Sequence, residues 1–162
     1  MSPRTRAPAG ASHPGHAAIP STLLLASGSF GARLSSASVL AALARGLRAG
    51  GRADHDLCPL PDAREHGEDV RKLLDALELD ARVHRARAVI IGAQRLHESS
   101  LARSMTFEIA TRARQRGVPA YAVTRENALA SFDARMLDLQ LILEARSARG
   151  LEASGRTLAQ LL

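Results

Sequence analysis

Three short segments of this chain carry the residue types that chemistry on a small anion requires. Each lies between an apolar run and a helix-like repeat. Segment 27–35 reads Ser-Gly-Ser-Phe-Gly-Ala-Arg-Leu-Ser. Gly28 and Gly31, with the hydroxyl of Ser29, would let backbone N–H groups approach a phosphate at a helix start. It lacks the spacing and the terminal Gly-Lys of a Walker A loop, and a plain tight turn explains two glycines more simply. Segment 60–68 reads Leu-Pro-Asp-Ala-Arg-Glu-His-Gly-Glu and gathers Asp62, Glu65, His66 and Glu68, with Asp69 next in line. Carboxylates at a strand end can hold Mg²⁺ beside substrate phosphates. Glu68 and Asp69 read more simply as the acidic first turn of a helix, which leaves Asp62 and Glu65 as the candidates. Segment 92–100 reads Gly-Ala-Gln-Arg-Leu-His-Glu-Ser-Ser. The fork of Arg95 could clamp a phosphate or carboxylate. The hydroxyls of Ser99 and Ser100, with the free N–H groups of a helix start, would make an anion site. His97 could act as a base, although a lone loop histidine is more often merely exposed. No G-x-S-x-G elbow is present, so a Ser-His-Asp hydrolase is not supported.

The elements that must position these loops follow from the apolar pattern. Thr22–Ala26 reads as a buried strand followed by a turn. Ser35 is a suitable N-cap for a helix carrying Val39, Leu40, Leu43 and Leu47, ended by Gly50-Gly51. A second strand is expected over Asp56–Leu60, and one helix over Glu68–Leu79. Ala88–Ile91 reads as the most deeply buried strand, bounded by Gly92. Ser99 or Ser100 is expected to cap a helix running to Arg116. Strands over Val118–Val123 and Leu139–Leu143 follow, and a closing helix over Leu151–Leu161, with Gly155 as a weakness within it. Alternating strands and helices imply an α/β fold: three layers, α/β/α, with a mainly parallel sheet of about five strands. Ligands of such sheets bind beyond the carboxyl ends of the strands. The loops to inspect are therefore 27–35, 60–68, 92–100 and 124–128.

Composition bounds the rest. The 162 residues suffice for one domain, and 46% hydrophobic content fits a globular chain. Aromatics are only 2%, so the core must be aliphatic. The net charge of +6 comes almost entirely from arginine, Lys72 being the single lysine. The arginines are scattered and not interleaved with aromatics, which argues against a nucleic-acid partner. Residues 1–20 are rich in Pro, Ala, Gly and Ser and read as a disordered arm, in which His13 and His16 make a weak metal site at best. The arm lacks the apolar region of a secretory signal, and no stretch is long enough to span a membrane. Cys58, the only cysteine, lies in an apolar run and reads as a buried structural thiol, which suits a reducing, cytoplasmic setting.

Two strand–loop–helix blocks, 21–60 and 87–124, resemble the beginning and the end of the type I glycerate kinases. In the family's first loop, similar to D-S-F-K-G-S-L-S, Gly28 stands for the Asp. Ser29 and Phe30 match, Gly31 replaces the Lys and Ala32 the Gly, and Leu34-Ser35 match again. The helix carrying Ala44-Arg45-Gly46-Leu47 fits the family's A-x-G-L. Against P-L-A-D-G-G-E-G-T, Pro59-Leu60 match, Asp62 and Glu65 fall on the acidic positions, and Ala63-Arg64 replace the glycine pair. Against V-I-T-G-E-G-R-L-D-x-Q-S, Ile90-Ile91-Gly92 and Arg95-Leu96 match. Ala93 replaces the Glu, His97 the Asp and Ser99 the Gln; Ser100-Leu101 match, and Arg103-Ser104 replace a Gly-Lys. Gly117-Val118-Pro119 match the next strand entry.

The resemblance implies an ATP- and Mg²⁺-dependent phosphotransferase acting on a small glycerate-like organic acid. Asp62, Glu65 and Arg95 would do the chemistry, and Ser29, Gly31, Ser99 and Ser100 would meet the nucleotide. Family members have a second, central domain. Its counterpart is missing near residues 67–86, which would leave 21–162 as a single α/β domain. Because the phosphate-facing Lys, Asp and Glu are lost at Gly31, Ser104, Gly28, His97 and Ala93, low or absent turnover is expected. Arg33 and Arg103 are then the nearest compensating cations. The alternatives are a non-catalytic ligand-binding or assembly module of the same ancestry and, disfavoured because no acidic pocket follows the first strand, an unrelated flavodoxin-like domain. Self-assembly into a homo-oligomer is left open.

Overall fold

The computed structural model describes residues 20–62, 70–98 and 104–162. The arm expected over 1–20 lies outside these residues except for Pro20. The elements are β1 (Leu23–Ser27), α1 (Ser36–Ala49), β2 (His55–Pro59), α2 (Val70–Ala76), α3 (Leu79–Arg85), β3 (Ala88–His97), α4 (Met105–Gln115), β4 (Ala120–Ala128), α5 (Ser131–Met136), β5 (Leu139–Glu144) and α6 (Ala148–Leu161). The five strands form one sheet in the order β2-β1-β3-β4-β5. Every neighbouring pair is parallel. This is the expected α/β/α architecture.

Alternation along β1 and β3 divides the core into two layers. Leu23, Leu25, Ala88, Ile90 and Val123 face α1 and α6, where they meet Leu40, Leu43, Leu47, Leu151 and Leu158. Leu24, Ala26, Val89 and Ile91 face the other way, onto Leu74, Leu79, Val83, Ile109 and Ala113 of α2, α3 and α4. The strand residues expected to be central, Leu24, Leu25, Ile90, Ile91 and Val123, are at most 1% exposed. Ser35 caps α1 as expected, its Oγ accepting from the Ser38 amide. Cys58 is buried, and burial pushes its thiol pKa up, so it is a packing residue and not a nucleophile.

Several element boundaries differ from expectation. The single helix expected over 68–79 is two: the backbone turns left-handed at Glu78 (φ 53°) and α3 begins anew. The break lets Leu79 and Val83, four residues apart, turn into the same core layer as Leu74. Residues 79–85 at the expected joint thus lie against the sheet. Helix α5 was not anticipated; its short turn buries no residue. On α6 Leu151 and Leu158 are buried and Leu162 follows them inward, whereas Leu161 is 57% exposed. On the outer layer Arg112 bonds Glu108, Asp75 and the Arg71 carbonyl, tying α4 to α2. Among the described residues no helix is long and apolar enough to cross a membrane.

At the amino-terminal edge of the sheet, His55 opens β2 with its Nε2 atom buried and without a hydrogen-bond partner. Burial, with the nearby charge of Arg48, lowers its pKa. The unfolded chain therefore takes up this proton first as the pH falls. The contribution of His55 is fully present above about pH 6.5. It is lost progressively below that, down to the lowered folded value. Urea midpoints at pH 7.5 and 5.5 should show this decline, and His55→Leu should flatten it. An unchanged decline in the variant would place its origin elsewhere.

Candidate functional site

In the order β2-β1-β3-β4-β5 the chain leaves β1 and β3 toward opposite sides, which opens a crevice beyond their carboxyl ends. An open cleft of about 620 Å³ lies there, lined by Ser29, Gly31, Asp62, Gly92, Arg95 and Ser104 among others. Four of the sequence candidates, Ser29, Gly31, Asp62 and Arg95, thus converge on it from two loops and the end of β3. Glu65, Ser99 and Ser100 lie outside the described residues.

The floor is set by close strand approach. β1 and β3 pair through Ser27 and Gly92. A Cβ on Gly92 would run into the buried hydroxyl of Ser27, so only glycine keeps the two strands in register at this point. On the β2 side, the Leu60 amide donates to the Ser27 carbonyl at 2.8 Å. That bond holds loops 28–35 and 60–62 side by side. Ser29 then donates from Oγ to Asp62 Oδ1 at 2.6 Å, and its amide approaches the same oxygen at 3.4 Å.

The wall was not foreseen. Residues 92–97 and 124–128, read above as loops, are strand. β1 ends at Ser27, whereas β3 and β4 continue as a two-stranded ribbon through Arg95↔Glu126, Leu96↔Asn127 and His97↔Ala128. Their polar composition hides a cross-strand pairing of opposite charges. Arg95 Nε and Nη2 lie 3.1 and 2.9 Å from Glu126 Oε2. Thr124 Oγ1 donates to the Glu126 carbonyl at 3.0 Å. Both members of the Arg95–Glu126 pair are more than half exposed in their side chains. Such a pair contributes roughly 0–1 kcal/mol and orients the guanidinium more than it stabilises the fold.

The opposite face of the ribbon carries a cation that sequence reasoning missed. Arg125 Nη1 donates to the Phe30 carbonyl at 3.3 Å. Gly31 adopts φ 86°, and the point where a side chain there would begin is 3.5 Å from both Arg125 Nη1 and Gln94 Nε2. Arg33 is exposed on the same loop and Arg103 is outside the described residues. Arg125 is the cation beside Gly31. It could not be found by spacing along the chain, because its place depends on the β3–β4 register.

The helix start at the cleft also differs. Ser104, and not Ser99 or Ser100, caps α4, its Oγ accepting from the Phe107 amide at 3.1 Å. Lys72 is exposed on α2, whose first residue, Val70, lines the cleft. Among the described residues no group of three or more His, Cys, Asp or Glu side chains could hold a metal ion.

No family model matches the chain, and no curated protein matches it. Among solved structures it is similar to a protein from Salmonella typhimurium LT2 assigned as glycerate kinase 2. The identity is 14% over 66% of this chain, and the TM-score is 0.44. The chain spans 27% of that protein's length.

Proposed function

We propose that the chain is a glycerate kinase-like α/β domain that binds a small organic acid or nucleotide in the switch-point cleft and turns it over little or not at all by itself. The observation that supports this reading is the convergence of Ser29 and Asp62, from two loops, and of Arg95, from the end of β3, on one crevice. At each of these positions the chain keeps the residue type of the glycerate kinase-like pattern.

The same geometry speaks against efficient phosphoryl transfer, which relies on cations and metal placed around the transferred group. Mg²⁺ often uses one or two carboxylates together with substrate phosphates. Asp62 can supply one, with Oδ1 already accepting from Ser29. When bound, Mg²⁺ would neutralise phosphate charge there. Arg95 faces Glu126 across the ribbon, and Gly31 offers only backbone. A cleft open on one side leaves a phosphoryl group in water, where each charge contact is weakened. The alternative, a module that binds without transferring phosphate, rests on these same engaged side chains.

Coupled measurement of ADP release with glycerate and Mg-ATP, beside calorimetric titration of each ligand, tests the reading. Binding with a turnover well below about 1 per second is expected. Turnover of roughly 1–1000 per second would overturn the low-activity reading, and absence of binding to both ligands would overturn the cleft itself.

A further inference from the structure

The ribbon divides the site into two faces of different character. On one, Arg95 is neutralised by Glu126. On the other, alternation along β3 and β4 puts Gln94 and Arg125 on the side of Ile90 and Val123, above the 28–35 loop. There the guanidinium makes one neutral bond, to the Phe30 carbonyl. Gly31, lacking a side chain, leaves space where the Arg125 and Gln94 nitrogens come within 3.5 Å of a common point.

Gly31 and Gln94 line the cleft, and Arg125 lies beside it. We propose that Arg125 and Gln94, meeting over Gly31, form an oxyanion subsite at the margin of the cleft that takes a carboxylate or phosphate oxygen pair of the bound small molecule. This rests on the cleft being a ligand site, and it assigns the recognition to residues that neither the motif positions nor the loop spacing single out. A guanidinium carries five N–H donors and the Gln94 amide two. The bond to Phe30 occupies one of the seven. The planar fork suits two oxygens of one anion, and a neutral amide beside it adds a donor without a second charge. The subsite therefore carries one net positive charge, matched to a group with a single negative charge.

The test is calorimetric titration at low salt with three probes: inorganic phosphate, glycerate and uncharged glycerol. Wild type should bind at least one of the two anions and not glycerol; which anion binds distinguishes phosphate from carboxylate as the natural source. Arg125→Ala should weaken that binding about 10- to 100-fold, the loss expected for a hydrogen bond to a charged group. Gln94→Glu, which puts a carboxylate beside Arg125 and cancels its charge, should weaken it similarly. Arg125→Lys should also bind less tightly, because it keeps the charge and loses the fork. Arg87→Ala, at the opposite edge of the sheet, removes the same charge and should bind as wild type does. Circular dichroism melts check that each variant is folded; should Arg125→Ala unfold, Gln94→Glu and Arg125→Lys decide. Wild-type affinity in those variants would overturn the subsite while leaving the cleft. Failure of the wild type to bind either anion would overturn both.

Discussion

Alanine at Gly46 should lower the stability of this protein by about 1–2 kcal/mol, although alanine is the better helix former. Two effects oppose each other. Inside a helix, Gly→Ala gains roughly 1 kcal/mol of intrinsic propensity. A Cβ on Gly46, however, would collide with the backbone carbonyl of Glu152 on α6. Backbone cannot rotate away, so the helices must separate, and overpacking of this kind costs about 1–3 kcal/mol or more. Gly155 faces the same contact from the other side, with its Cβ position 2.5 Å from the Leu43 carbonyl. The sequence marked Gly155 as a weakness in the closing helix; packed, it is what lets α1 and α6 touch. Gly150→Ala, on the same helix, meets only ordinary contacts at 3.5 Å and should raise stability slightly. Urea denaturation and thermal melts of the two variants make the comparison. Gly46→Ala should melt about 2–8 °C lower, at roughly 2–4 °C per kcal/mol for a chain of this size. A melt equal to wild type would mean that the helices are not in backbone contact.

Phe30→Ala should cost about 3–5 kcal/mol and loosen the cleft as well. Phe30 is fully buried in the layer shared by Leu25, Ile90 and Val123. Its amide donates to the Leu34 carbonyl at 2.8 Å, and its own carbonyl accepts from Arg125. The ring therefore nails loop 28–35 to the sheet while the backbone on either side presents Ser29 and Gly31 to the cleft. Phe30→Leu, which keeps most of the volume, should cost less than about 1.5 kcal/mol. Denaturation would give both values, and anion titration of whatever folds would give the second effect. A small loss for Phe30→Ala would show that the loop is anchored without its ring.

The amino-acid sequence by itself determined what depends on local pattern. Continuous apolar runs at Leu23–Ala26 and Ala88–Ile91 can be buried only as interior strands, and both are. Ser35 before a helical repeat is a cap wherever the helix lies. The carboxyl ends of parallel strands share one edge of the sheet, so Ser29, Asp62 and Arg95, which end or follow three of those strands, share that edge. Tertiary structure decided what depends on neighbours distant in the chain. Arg95 through His97 is too polar to read as strand; it becomes strand because Glu126 through Ala128 lies beside it in register. Glu78 breaks a helix whose apolar positions run on, because Leu79 and Val83 gain more by packing on the sheet than the turn loses in strain. The function-bearing contrast is of the same kind. Arg95 and Arg125 are two residues of one type on adjacent strands. Only the pleat, which sends one toward Glu126 and the other over Gly31, distinguishes the paired guanidinium from the one that faces the loop.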